Sequence, residues 1–183
     1  TPGGTEPGTW TVNTTADHED GACEPLSAGD CTLREAINNA NRSNGPDTIE
    51  FAIPRSDVGF VDGRWYIRPE RPLADLIGDE LEIGDCEREP LVILDGALTS
   101  RGTTGLTLRG AGQAVRGLRL SNWSAGGVRI TGPSALDNTV ACNHIVDNLG
   151  DGICVSDGAS RNIIGGPSGE NWIAGNSGDG VRI

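Results

Sequence analysis

Val115-Arg116-Gly117-Leu118-Arg119-Leu120 and Val140-Ala141-Cys142-Asn143-His144-Ile145 lie 25 residues apart, and the same offset carries Gly127-Val128-Arg129-Ile130 onto Gly152-Ile153-Cys154-Val155. One offset shared by two segments marks a structural repeat. A third copy of the second segment, Gly180-Val181-Arg182-Ile183, follows 28 residues after Gly152, and Asn138-Thr139-Val140 returns as Asn162-Ile163-Ile164. The apolar runs are short, separated by Gly, Asp and Asn turns, and carry neither a helical stripe nor a hairpin doublet. That pattern predicts an all-β parallel β-helix, each coil about 4.8 Å above the last. Val128, Ile153 and Val181 are then expected to stack inward as one ladder and Ile130, Val155 and Ile183 as a second, with Arg129, Cys154 and Arg182 facing solvent. Asn143 and Asn176, read as equivalent repeat positions, would form a buried amide ladder.

Upstream of the repeats the chain is built differently. Residues 1–100 hold 20 Asp+Glu and 7 Arg, whereas residues 101–183 hold 6 and 7. With a net charge of −12 and no Lys among the 183 residues, a nucleic-acid-binding surface is not expected. No run reaches the roughly 18 apolar residues of a membrane span, so no membrane insertion is expected. Trp10-Thr11-Val12 reads as a short strand. Thr32-Leu33-Arg34-Glu35 is a capping box, and Leu33, Ala36, Ile37 and Ala40 follow as one apolar helix face, stopped by Asn44-Gly45-Pro46. Ile49, Phe51 and Ile53 alternate as a strand ended by Pro54. Residues 1–54 thus form a strand and helix cap, its helix covering the first coil. Residues 55–183 form the solenoid in the same continuous unit, with clear repeats from about 106; most of 55–90 reads as irregular before the buried run Leu91–Leu94.

Five Cys without a Cys-x-x-Cys pair favour an oxidised, exported protein. Cys23 and Cys31 bracket a short loop and are expected to pair. Cys142 and Cys154 form a weaker candidate pair within one coil, which leaves Cys86 over.

Cys31-Thr32-Leu33-Arg34-Glu35-Ala36-Ile37, after an acidic Gly turn and before Asp47-Thr48-Ile49, resembles the signature of bacterial secreted proteins named for their C-S-L-R-E-A motif, with Thr in place of Ser. Leu94-Asp95-Gly96, Val115–Leu118, Asn162–Gly166, Asn171, Ile173, Gly175-Asn176 and Gly178-Asp179-Gly180 look like the repeats that follow that motif. The resemblance implies a right-handed parallel β-helix, secreted and held at the cell surface, with an N-terminal cap and no defined reaction.

Candidates for chemistry each have a structural rival. His144, Asp147 and Asp151 fall within one coil, and β-helices can carry carboxylates that bind Ca²⁺ or act on polysaccharides. Asp147-Asn148 and Asp151-Gly152 are equally turn residues, and that reading is favoured. Asp17, Glu19 and Asp20 could offer oxygen ligands to Ca²⁺ but lack EF-hand spacing. No His-based metal site is argued from His18 and His144. Val181-Arg182-Ile183 keep the strand pattern without a polar cap. The chain is therefore expected either to belong to a longer solenoid or to cover that assembly edge with another copy, head to tail in a filament, the acidic segment around Trp10–Asp20 meeting Arg182. The leading functional expectation is an extracellular structural or adhesive solenoid whose partners are its own copies, with cell-surface or extracellular polysaccharide as a further candidate. The alternative is a polysaccharide lyase or glycosidase, which fold analogy alone supports.

Overall fold

The computed structural model describes residues 8–21, 23, 29–86 and 91–183. The strands are β1 (Thr9–Val12), β2 (Asp47–Phe51), β3 (Phe60–Val61), β4 (Arg64–Ile67), β5 (Leu81–Ile83), β6 (Val92–Asp95), β7 (Thr104–Leu108), β8 (Ala114–Arg116), β9 (Leu118–Ser121), β10 (Gly126–Thr131), β11 (Thr139–Ala141), β12 (His144–Val146), β13 (Asp151–Ser156), β14 (Ile163–Ile164), β15 (Trp172–Ala174) and β16 (Val181–Arg182), with one helix, α1 (Leu33–Ala40). They form three sheets. Sheet 1 runs β1-β2-β5-β8-β11-β14, sheet 2 runs β3-β4-β6-β9-β12-β15 and sheet 3 runs β7-β10-β13-β16. Each of four successive coils contributes one strand to each sheet, which is a parallel β-solenoid; apart from the β3–β4 hairpin every pair is parallel.

The register follows the offsets in the sequence. Val140 lies on Val115, Ile145 on Leu120, and Val128 on Ile153, which pairs in turn with Val181. Inward residues alternate with outward ones, so Leu106, Val128 and Ile153 join one continuous apolar core with Val115, Val140, Leu120 and Ile145. Gly127 and Gly152 recur because the wall is crowded there. A methyl at Gly127 would run into the Ile145 side chain, and one at Gly152 into that of Ile173. Two expectations about sheet 3 need correction. Cys154 lies on the outward row between Arg129 and Arg182 but is only 5% exposed, and Ile183, expected to continue the inward ladder of Ile130 and Val155, is 95% exposed.

The cap is held by its own motif. Thr32 accepts from the Glu35 backbone N–H while Glu35 accepts from the Thr32 N–H, closing the capping box. Leu33, Ala36, Ile37 and Ala40 point into the core and are at most 1% exposed. Asn41 donates to the Asp75 carbonyl and accepts from the Ile77 N–H, and Leu76 between them bridges to Leu108 in β7. The helix therefore packs against β1 and β2 of sheet 1 and holds the Leu76 segment that covers the β7 edge of sheet 3, closing the first coil.

Residues 55–90, read as irregular, contain β3, β4 and β5. Trp65 and Ile67 of β4 face the core beside Val92 and Leu94.

Candidate functional site

Asparagines at the corners of the coil do the work that backbone alone cannot. At a corner the chain turns, and its N–H and C=O groups leave the sheet ladders while still buried. Asn143 is fully buried; its Oδ1 accepts from the Leu118 N–H one coil before, and its Nδ2 donates to the Val115 and Ala141 carbonyls. Asn171 repeats this, accepting from Asn143 N and donating to Val140 O. At the next corner Asn148 donates to Leu120 O and Asn176 to Ile145 O, and Asn148 N donates to the Asn176 Oδ1. That column ends at the fully buried Trp123, whose indole N–H donates to Leu94 O, the equivalent carbonyl one coil earlier. A third column runs through Gln113, Asn138 and Asn162. The amide ladder thus exists, but Asn143 stacks on Asn171 and Asn176 on Asn148. The turn at Gly166–Ser168 lengthens that coil, which aligns Asn143 with Asn171, whereas Asn176 belongs to the next corner with Asn148.

The disulfides differ from expectation at one pair. Cys23 and Cys31 are bonded; the loop between them lies largely outside the described residues. Cys142 bonds Cys86, with Cα atoms 5.5 Å apart, and Cys154 is the free, buried thiol. Cys142 and Cys154 occupy different faces of one coil, Cys142 at the corner between sheets 1 and 2 and Cys154 in sheet 3, so they cannot meet. Cys86 reaches Cys142 from two coils away because the segment leaving β5 crosses Gly117. Gly117 has φ 62°, and a side chain there would collide with the Asp85 carbonyl. Two disulfides place the protein outside a reducing compartment. Among the described residues no helix is long and apolar enough to cross a membrane.

The carboxylates face arginines. Arg182 donates to Asp151 at 2.6 Å, Arg161 to Asp137 at 2.6 Å, Arg109 to Asp75 at 2.5 Å and Arg68 to Asp95 at 2.8 Å, and Arg116 pairs with Glu82. In each, the partners sit on neighbouring coils. The Arg182 hydrogen bond, joined by the Asp179 N–H, holds Asp151 below the ordinary aspartate value, and Arg161 does the same for Asp137. Burial opposes the charged form of Asp95, yet donation from Arg68, Asn122 and the Ala97 N–H outweighs it, and the net shift is downward. Arg182 is therefore satisfied by Asp151 of its own chain.

The acidic turn is also engaged. Arg34, buried, forks onto both oxygens of Asp17 and donates to the Arg71 and Pro72 carbonyls. Glu19 accepts from Asn38 and Arg71, and the Asp20 N–H donates to Glu35. Asp17 and Glu19, weighed with Asp20 as oxygen ligands for Ca²⁺ against a solvated acidic loop, thus face cationic or amide donors of the chain. His18, Asp20 and Glu35 bring ligand atoms within 4.8 Å of one another, with Glu35 already accepting from Thr32 and Asp20.

Among the described residues, two of the surface concavities bring charged side chains together. The larger, about 620 Å³, opens beside Trp65 and Phe51 with Glu50, Glu82 and Asp85 at its rim. Glu50 accepts from Thr11, and Glu82 pairs with Arg116. The second, about 500 Å³, is a groove on the outer face of sheet 2 that joins His144 and Asp147 to Arg64, Arg119 and Trp172. The His144 and Trp172 rings lie 5.6 Å apart, and Arg119 stands 3.6 Å from Asp147. Asp151, in sheet 3, is not part of it. Arg64 and Trp172 were missed in the sequence because their neighbours come from other coils.

Comparison with protein-family models, curated proteins and solved structures returned no match.

Proposed function

We propose that the protein is an extracellular structural solenoid of a bacterial surface that stacks head to tail with copies of itself. The observation that carries this reading is the pair of edges on sheet 1. Among the described residues β1 and β14 are the two outer strands of a sheet that is parallel throughout, so β1 of one copy laid on β14 of another continues the same ladder. In the coil holding β14, Ile163 on the outward row of sheet 1 is 48% exposed and Val181 on the inward row of sheet 3 is 41% exposed. A contact between unlike ends repeats without closing and generates a filament. Carboxylates clamped by arginines from coil to coil, buried amide columns and disulfides suit a load-bearing rod, and the disulfides agree with export.

Ile163→Asp tests the reading by sedimentation. The proposal expects the mass of the parent chain to rise with concentration in the micromolar range, and the variant to remain a monomer with unchanged melting. A parent chain that stays monomeric throughout would refute it.

A further inference from the structure

The outer face of sheet 2 carries one row that crosses every coil. Register places Tyr66 on Ile93, Ile93 on Arg119, Arg119 on His144 and His144 on Trp172. Trp172 is 65% exposed, against full burial for Trp123 and partial burial for Trp10 and Trp65. An indole held open to water by a neighbouring ring is a costly surface unless something stacks on it. His144 supplies that support, and at the other end of the row the Arg68 guanidinium lies 4.9 Å over the Tyr66 ring.

Charge selects the kind of ligand. Seven arginines donate to a carboxylate at 2.8 Å or less: Arg34, Arg68, Arg71, Arg109, Arg116, Arg161 and Arg182. The two arginines of this groove do not, and neither do Arg42, Arg55, Arg101 and Arg129 among the other described residues. Arg119 is 3.6 Å from Asp147, beyond hydrogen-bond reach, and exposed Arg64 makes no ion pair among the described residues. In a chain of net charge −12 the groove sets two guanidinium groups against one carboxylate. A planar guanidinium with no carboxylate at hydrogen-bond distance matches an incoming carboxylate bidentately.

We propose that this groove binds an acidic polysaccharide laid along the solenoid axis, with a sugar ring on Trp172 and uronate carboxylates on Arg119 and Arg64. Coils repeat every 4.8 Å or so, close to the length of one sugar unit in an extended polymer, so successive units meet successive side chains of the row. The groove is a binding surface only; no bond is made or broken in it. It does not depend on stacking through sheet 1.

The probe is a galacturonate tetramer, with the uncharged galactose tetramer beside it, titrated by calorimetry and tryptophan fluorescence into the parent chain and into Ile163→Asp. Binding of the galacturonate probe to both chains, weakened by salt and much stronger than that of the neutral probe, is the expected result. Trp172→Ala should weaken it at least tenfold and remove the fluorescence change, and R64Q/R119Q should weaken it about tenfold and flatten the salt dependence, both with unchanged melting. No binding, equal binding of the neutral probe, or binding indifferent to both variants would overturn the proposal. So would a Trp172→Ala chain that keeps binding but loses self-association, since the indole would then serve a second copy.

Discussion

Replacing Asn143 with Ala removes one side chain and leaves three buried backbone groups without it. The Leu118 N–H loses its acceptor at 3.0 Å, and the Val115 and Ala141 carbonyls lose donors at 2.8 and 2.9 Å. A buried donor left unsatisfied costs about 1–3 kcal/mol, and each carbonyl costs less because it has a second lone pair, so the sum is about 3–5 kcal/mol. Asn171→Ala, one coil further and only partly buried, orphans the Asn143 N–H while the Val140 carbonyl keeps the Gly165 N–H, and should cost about 1–3 kcal/mol. Asn38→Ala, whose amide donates to Glu19 on the surface, should cost less than about 0.5 kcal/mol. Urea unfolding followed by far-ultraviolet circular dichroism measures all three, and unchanged slopes would show that stability alone moved. If Asn143→Ala cost less than about 1 kcal/mol, or no more than Asn38→Ala, the amide columns would not be what holds the corners.

Ile37→Asp puts a carboxylate in a fully buried position under the cap and should destabilise the whole chain by at least about 4 kcal/mol; unchanged melting would mean that α1 does not close the solenoid. Cys142→Ala opens a link with a sequence separation of 56 and should cost up to about 4 kcal/mol by loop entropy, while non-reducing peptide mapping should recover a Cys86–Cys142 peptide and a free Cys154. Asp95 has its folded pKa lowered, so its contribution is present above its unfolded value near 3.8 and is lost as pH falls through the folded value. The stability of the parent chain should therefore fall more steeply below that pH than that of Asp95→Asn, and parallel acid titrations of the two would contradict this.

The solenoid was legible because its repeat is written in residues whose chemistry is local. Gly127 and Gly152 mark where the wall is tight, and Val, Ile and Leu alternate inside each short strand. The helix was legible for the same reason, since Thr32, Glu35 and the stripe from Leu33 to Ala40 form their contacts within two turns. What escaped depends on the stack. β5 has three residues and reads as a strand only with β2 and β8 on either side. The Cys86–Cys142 bond skips a coil, and Asn171 and Asn176 stand at two successive corners that only the stacked coils tell apart. His144 and Asp147 could be singled out from the sequence, but the arginines and indole that complete their groove come from β4, β9 and β15.

The central claim is an axial stack of coils that continues from one copy to the next. Negative-stain electron microscopy of the native chain over a micromolar concentration series, with fibre diffraction of the aligned sample, measures it most directly. The account predicts unbranched rods of one diameter whose length grows with concentration, with a reflection near 4.8 Å along the rod axis. Particles of a single short length at every concentration, or a 4.8 Å reflection across the rod instead of along it, would contradict it.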